Sequence, residues 1–260
     1  MRLALLAGGA WLLAPLSLGA QQLDSARAPA PPLELEAAAG YEHLTAGLPA
    51  WRAGSLSIEA PRRPWGSAYG TILATDRFAL SDMQLLGGVS LRLGPNWVLT
   101  TEASASPTHE VLPTWSVGMD AARVLRGGWV LHGGLSRTDY TTVGTTLGTA
   151  TVERYWGSYR AAYTAYLAKL DGQALVVSNR LALDRYYGAD EQSRLGLSLA
   201  LGREVEGQGA QVVKLATRSV GVSARHWLNA AWAITADVTW ASEGNAYDRI
   251  GTRAGLRRRL

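Results

Sequence analysis

With 260 residues, no cysteine and a formal net charge of +4, the chain excludes a disulfide scaffold, a thiolate metal site and a cysteine-linked lipid anchor. Its arginines are spread along the whole length rather than clustered, so no nucleic-acid partner is expected. Ten tryptophans and ten tyrosines stand against one phenylalanine, a bias toward rings with one apolar and one wet end, which suits a membrane interface.

Residues 1–20 open with Met1 and Arg2, run apolar from Leu3 to Leu18 and close on Gly19 and Ala20. That is the layout of a signal peptide, and the run is shorter than the roughly 20 residues a spanning helix needs. Residues 21–32 are small and proline-rich at their end, the composition of a flexible periplasmic lead-in. No later stretch is apolar enough to span as a helix, so membrane insertion would have to use strands.

From residue 33 onward a two-residue period dominates, with apolar side chains on one face and polar ones on the other. The predicted strands are 33–44, 51–60, 65–77 and 83–93, separated by turns at 45–50 and 61–64 and a loop at 78–82. Gly94, Pro95 and Asn96 are turn chemistry, and strands follow from Trp97, from Trp115 after a loop holding Pro107 and Pro113, and from Trp129 after the turn at 126–128. A polar loop at 138–146 precedes a strand at 149–154, a turn at 155–157 and a strand from Tyr159. Asp171 and Gly172 make a compact hairpin turn. The next strand has Leu175, Val177, Leu181 and Leu183 on one face, with Asn179 as its one polar member. Leu195, Leu197, Leu199 and Leu201 then alternate with small or polar residues. Residues 205–217 read as the one long irregular segment. Strands from Ser219, Trp232 and Arg249 finish the chain.

The expected fold is all-β: a single closed antiparallel transmembrane barrel over 33–260 with about fourteen strands, twelve and sixteen being the alternatives. A secreted sandwich is the competing architecture. Three features favour the barrel. Short and long connections are expected to alternate, and Trp65, Trp97, Trp129, Trp156 and Trp232 flank the short ones, which would ring one interface with indoles. Trp51, Trp115 and Trp240 are available for the other ring. Both signs of charge occupy the polar face at Glu102, Asp120, Arg160, Arg180, Asp184, Arg225, Asp237, Arg249 and Arg253, which are expected to line the pore.

Several segments also resemble a known family: Thr75-Asp76-Arg77-Phe78, Val111-Leu112-Pro113-Thr114-Trp115, the run from Glu153 to Arg160, Tyr186-Tyr187-Gly188 and Tyr247-Asp248-Arg249-Ile250-Gly251. In order and spacing they are similar to the YaiO-type outer-membrane barrels. The resemblance implies one outer-membrane barrel distantly similar to those of exopolysaccharide-export proteins, and carries no reaction and no catalytic residues. The ending Arg257-Arg258-Arg259-Leu260 departs from the terminal aromatic residue that barrels commonly present to the assembly machinery.

The expected function is therefore a pore-type or export barrel of the outer membrane with an arginine-biased lumen, passing anionic solutes or acidic glycans. Its expected partners are outer-membrane lipid and the barrel-assembly machinery, with no cofactor, no metal and no catalysis. The alternative is an enzyme acting on lipid or peptide at the extracellular rim through His109, Glu110 or segment 205–217. His132 is expected in the lumen, His226 near the inner interface, and Arg257 to Arg259 on a solvated rim. No zinc, phosphate-loop or nucleophile-elbow motif is present.

Overall fold

The computed structural model describes residues 32–63, 65–173, 175–188, 191–208 and 211–260. The expected signal peptide and nearly all of the lead-in lie outside the described residues. Fourteen strands form one closed antiparallel barrel: β1 (Glu34–Leu44), β2 (Trp51–Arg63), β3 (Gly66–Arg77), β4 (Leu80–Arg92), β5 (Trp97–Ala105), β6 (Trp115–Val124) and β7 (Trp129–Asp139). They are followed by β8 (Gly144–Trp156), β9 (Tyr159–Leu170), β10 (Val176–Tyr187), β11 (Ser193–Gln208), β12 (Gln211–Trp227), β13 (Trp232–Glu243) and β14 (Tyr247–Arg259). Each strand pairs with its neighbours in sequence, and β14 closes on β1 from Glu34↔Arg259 to Leu44↔Arg249. Closure leaves no open edge, the condition for spanning lipid with strands. The shortest strand has 9 residues and the longest 17, enough for a tilted crossing of the hydrocarbon layer.

An even strand number puts Glu34 and Arg259 at the same end, called the inner end below; the opposite end is the outer one. Outward positions carry exposed Leu56, Ile72, Leu85, Met119, Leu135, Leu181 and the leucine row of β11. Inward positions are polar and often buried. Side chains there reach across an intervening strand, as Tyr69 of β3 does in donating to Glu102 of β5, which only the concave face of a barrel allows. Small residues make the room. A Cβ on Gly88 of β4 would meet the Tyr69 ring at 2.6 Å, so glycine lets that ring lie over the strand between its partners.

Several expectations are corrected. Of the segment 205–217, the described residues 205–208 and 211–217 are not irregular: they are the outer part of the paired strands β11 and β12, in register from Arg194↔Arg225 to Gln208↔Gln211. Its residues broke the apolar alternation, yet backbone pairing continues beyond the apolar band. The loops at 78–82 and 138–146 shrink to 78–79 and 140–143 as the strands extend, and the turn placed at 155–157 is 157–158. Connection lengths also fail to alternate. Among the described residues, outer connections include 45–50, 78–79, 106–114, 140–143 and 244–246, and inner ones 93–96, 125–128, 157–158 and 228–231; of these only 106–114 is long.

Candidate functional site: a charged lumen

At the seam, Arg257 turns inward and is 8% exposed. Its guanidinium meets Glu34 at 2.8 Å, Glu36 at 2.9 Å and Glu59 at 3.1 Å, joining β14 to both β1 and β2. Arg253 extends the cluster to Glu36 at 2.5 Å and Asp237 at 3.2 Å, and Arg259 adds Glu34 at 3.0 Å while its guanidinium lies 3.4 Å from the Trp227 ring centre. The solvated rim expected for 257–259 is thus wrong for two residues of three. A β-period of two puts Arg257 and Arg259 in the lumen and leaves only Arg258 outside.

A second network sits on the opposite wall. Arg160 of β9 lies between Glu153 of β8, to which it donates, and Asp184 of β10 at 2.6 Å, with all three buried. His132 of β7 is 3.0 Å from Asp120 of β6 and 3.7 Å from Glu153, which links this cluster back toward β6. Tyr155 donates to Glu153 at 2.9 Å. Charges withdrawn from bulk water need such multiple partners, because an unpaired one costs several kcal/mol (about 3–5 on losing its partner).

Cations are less well matched on β10, β11 and β12. Arg194 and Arg225 are direct cross-strand partners, both inward. Arg194 reaches Asp184 at 3.7 Å, although Arg160 already holds that carboxylate, and Arg225 donates through Nε to the Gln192 carbonyl at 3.1 Å. Arg180 faces inward in mid-β10, opposite Thr164 and Ala200, and forms no ion pair with a described residue.

The outer mouth is different again. Trp51, 2% exposed, points inward against Leu44, with Phe78 edge-on at 5.2 Å and Tyr247 at 6.4 Å. The Arg77 and Arg249 guanidinium carbons lie 4.9 and 5.4 Å from its ring centre, and Arg249 also meets Glu42 at 3.3 Å and Glu243 at 3.4 Å. Trp51 is therefore no part of an outer indole ring; its position in β2 shares the face of Ser55, Ser57 and Glu59. Beside it, the Asp82 carboxylate accepts the backbone N–H groups of Glu110 at 3.0 Å, Val111 at 2.6 Å and Leu112 at 2.7 Å, folding 106–114 against the barrel with Leu112 buried.

All nine charged residues expected in the lumen occupy inward positions, but in separate groups: Asp237, Arg249 and Arg253 near the seam, Asp120, Arg160 and Asp184 in the β6–β10 network, Glu102 with Tyr69, and Arg180 and Arg225 on the cation-rich wall. What the sequence reading missed are the acids Glu34, Glu36, Glu42, Glu59, Glu153 and Glu243, all inward and all ion-paired. They offset the arginines, so the expected bias of the lumen as a whole gives way, among the side chains described on β10–β12, to Arg180, Arg194 and Arg225 beside the one acid Asp184. Their alternation with small or apolar neighbours in β1 and β8 was the available signal.

Trp65, Trp97, Trp115, Trp129, Trp156 and Trp240 are exposed on the outer surface, and Trp232, half-buried, faces the same way. Trp115 and Trp240 lie toward the outer end and the rest toward the inner. His226 also faces out, stacked on Tyr187 at 5.8 Å. Asn179, the polar member of an apolar face, accepts a hydrogen bond from the Tyr163 hydroxyl at 2.6 Å. His109 and Glu110 make no mutual contact. The His109 ring nitrogen is 3.2 Å from the Ser106 carbonyl, and Glu110 belongs to the turn held by Asp82.

A closed barrel that is apolar and indole-ringed outside and charged inside defines an outer-membrane β-barrel protein. The model of the YaiO membrane beta barrel domain matches residues 33–206, and the chain belongs to that family. No curated protein matches it. Among solved structures, a bacterial polysaccharide outer membrane secretin is similar at TM-score 0.61 and 10% identity, over 90% of this chain and 100% of that one. The translocator domain of the autotransporter NalP from Neisseria meningitidis gives 0.52 at 13% identity over 88% of each chain. Omp33 from Acinetobacter baumannii gives 0.51 at 12% identity, over 89% of this chain and 100% of its own. At these identities the likeness is one of fold, that of outer-membrane barrels.

Proposed function

We propose that the protein is a non-enzymatic conduit for anionic solutes, taking small carboxylates or phosphates or the acidic groups of a glycan along the β10–β12 wall. The observation that carries this reading is the unmatched cation set there: Arg180 without an ion pair among the described residues, and Arg194 and Arg225 side by side at one register with Asp184 shared with Arg160. Like charges directly opposite one another on a sheet repel, and an anion passing between them relieves that repulsion. Rings and rows of one charge sign are the usual basis of selectivity in a pore. The neighbouring part of the lumen wall, at β14, β1 and β2, is charge-balanced by its own ion pairs among Arg253, Arg257, Arg259, Glu34, Glu36 and Glu59.

The test is planar-bilayer recording of the folded barrel under a potassium chloride gradient. The expected reversal potential has the sign of chloride preference, and Arg180→Gln with Arg225→Gln moves it toward cation preference. Absence of conductance across a range of salts, with the folded protein confirmed in the bilayer, sinks the conduit. Block by a soluble oligouronide but not by monomeric gluconate favours the glycan as cargo, and block by both favours small anions.

A further inference from the structure

The lipid-facing surface of the inner end carries arginines of a different kind from those in the lumen. Three lie over the girdle tryptophan that is their direct cross-strand partner: Arg123 over Trp97 at 5.4 Å, Arg154 over Trp129 at 5.0 Å and Arg258 over Trp232 at 5.2 Å. Arg185 joins them on β10, exposed and two residues from Tyr187, whose ring stacks on His226. None of the four forms an ion pair with a described residue, whereas the inward arginines at the same height, Arg257 and Arg160, have two or three carboxylates each. Outward strand positions at this end hold no carboxylate among the described residues. At the outer end they do: Asp76 and Asp139 face out, and the outward Arg137 is paired with Asp139 at 3.7 Å and Asp171 at 2.6 Å.

We propose that this inner belt is a binding surface for anionic phospholipid headgroups, preferring a phosphatidylglycerol-type lipid to a zwitterionic one. The indole sets the depth, since its ring is held at headgroup level with its apolar body among the chains. Stacking on the ring flattens the guanidinium against the barrel and leaves the donor fork of Arg123 and Arg258, and the remaining N–H groups of Arg154, for a phosphodiester, which a free fork meets with two parallel N–H bonds. The repeated Trp–Arg register on three hairpins spaces these forks around the rim. With no carboxylate on the described outward strand positions, and Glu191 between β10 and β11 hydrogen-bonded to Ser158, the belt is net positive, so a headgroup with net negative charge is favoured over one carrying its own ammonium. This inference does not depend on anything passing through the lumen.

The test is native mass spectrometry of the folded full barrel in non-ionic detergent, mixed with equal amounts of phosphatidylglycerol and phosphatidylethanolamine of the same acyl chains. Phosphatidylglycerol adducts are expected to dominate on the wild type, and the Arg123→Gln, Arg154→Gln, Arg258→Gln variant is expected to lose that preference by roughly tenfold. Arg137→Gln, which removes an outward arginine at the other end, is expected to keep it. Arg154 also donates to the Gly127 carbonyl in the adjoining turn, so Arg123→Gln with Arg258→Gln is measured beside the triple variant, and heat-modifiable gel migration reports folding of each. Equal binding of the two lipids to the wild type overturns the proposal. So does an undiminished preference in the folded variants.

Discussion

Arg257 and Arg258 are adjacent in β14 and point in opposite directions. The first is buried against three carboxylates from two other strands; the second lies exposed over Trp232 with no carboxylate partner. One residue of register separates a structural bolt inside the barrel from a charge offered to the membrane. The same division holds around the inner end: Arg160 is bound on the inside, while Arg123, Arg154 and Arg185 stand free of acids on the outside. What an arginine does in this protein follows from which face its strand position assigns it.

The comparison is broken most severely by Arg257→Ala. It leaves Glu34, Glu36 and Glu59 in the lumen wall without their common partner, at an expected cost of about 3–5 kcal/mol in denaturant unfolding from lipid vesicles. An Arg257→Ala barrel that unfolds at the same midpoint as wild type would show that hydration, not pairing, holds these carboxylates. At the other end of the lumen, Trp51→Ala empties the apolar cluster with Leu44, Phe78 and Tyr247, with an expected loss of about 3 kcal/mol and a rise in single-channel conductance as the mouth widens. Unchanged conductance in the folded variant places the narrowest point elsewhere.

Asp82→Asn keeps the shape but not the charge that accepts three N–H groups, and about 1–2 kcal/mol of local stability should go with it. The readout is faster proteolytic nicking within 106–114 at unchanged global unfolding. Arg258→Gln should move the unfolding midpoint by no more than about 0.5 kcal/mol, in contrast to its neighbour, and act on lipid selection alone. The smallest effect is expected at Asp171, in the outer turn. Arg137 beside it holds its carboxyl below the usual carboxylate range, so the pair is intact at neutral pH and is lost only as pH falls through that lowered value. Because the pair is open to solvent at the outer end, Asp171→Asn should leave unfolding at pH 7 unchanged, measured by the same titration.

Much of the barrel was legible in the residues. The leucine row of β11 and the Trp232 to Trp240 alternation of β13 announce strands with one apolar face, since a strand in lipid must place its apolar side chains at every second position. The nine charged residues were legible as members of the other face for the same reason. Boundaries were not, because strand pairing continues past the apolar band: β8 begins at Gly144 and β11 runs to Gln208, where side-chain alternation no longer marks the strand.

By itself, the sequence determined the class of fold, an approximate strand number and the inward face of the nine charges named from it, because a period of two is a local property of extended backbone. Only the tertiary structure decided the partners. Closure of β14 on β1 is what carries Arg257 to Glu34, Glu36 and Glu59, more than 190 residues away in the chain. The parity of β2 points Trp51 inward, and the tertiary structure then packs it against Leu44, Phe78 and Tyr247 at the outer mouth. Ion pairing and apolar packing depend on distances set by register and curvature together, and neither is encoded in the pattern of any one strand.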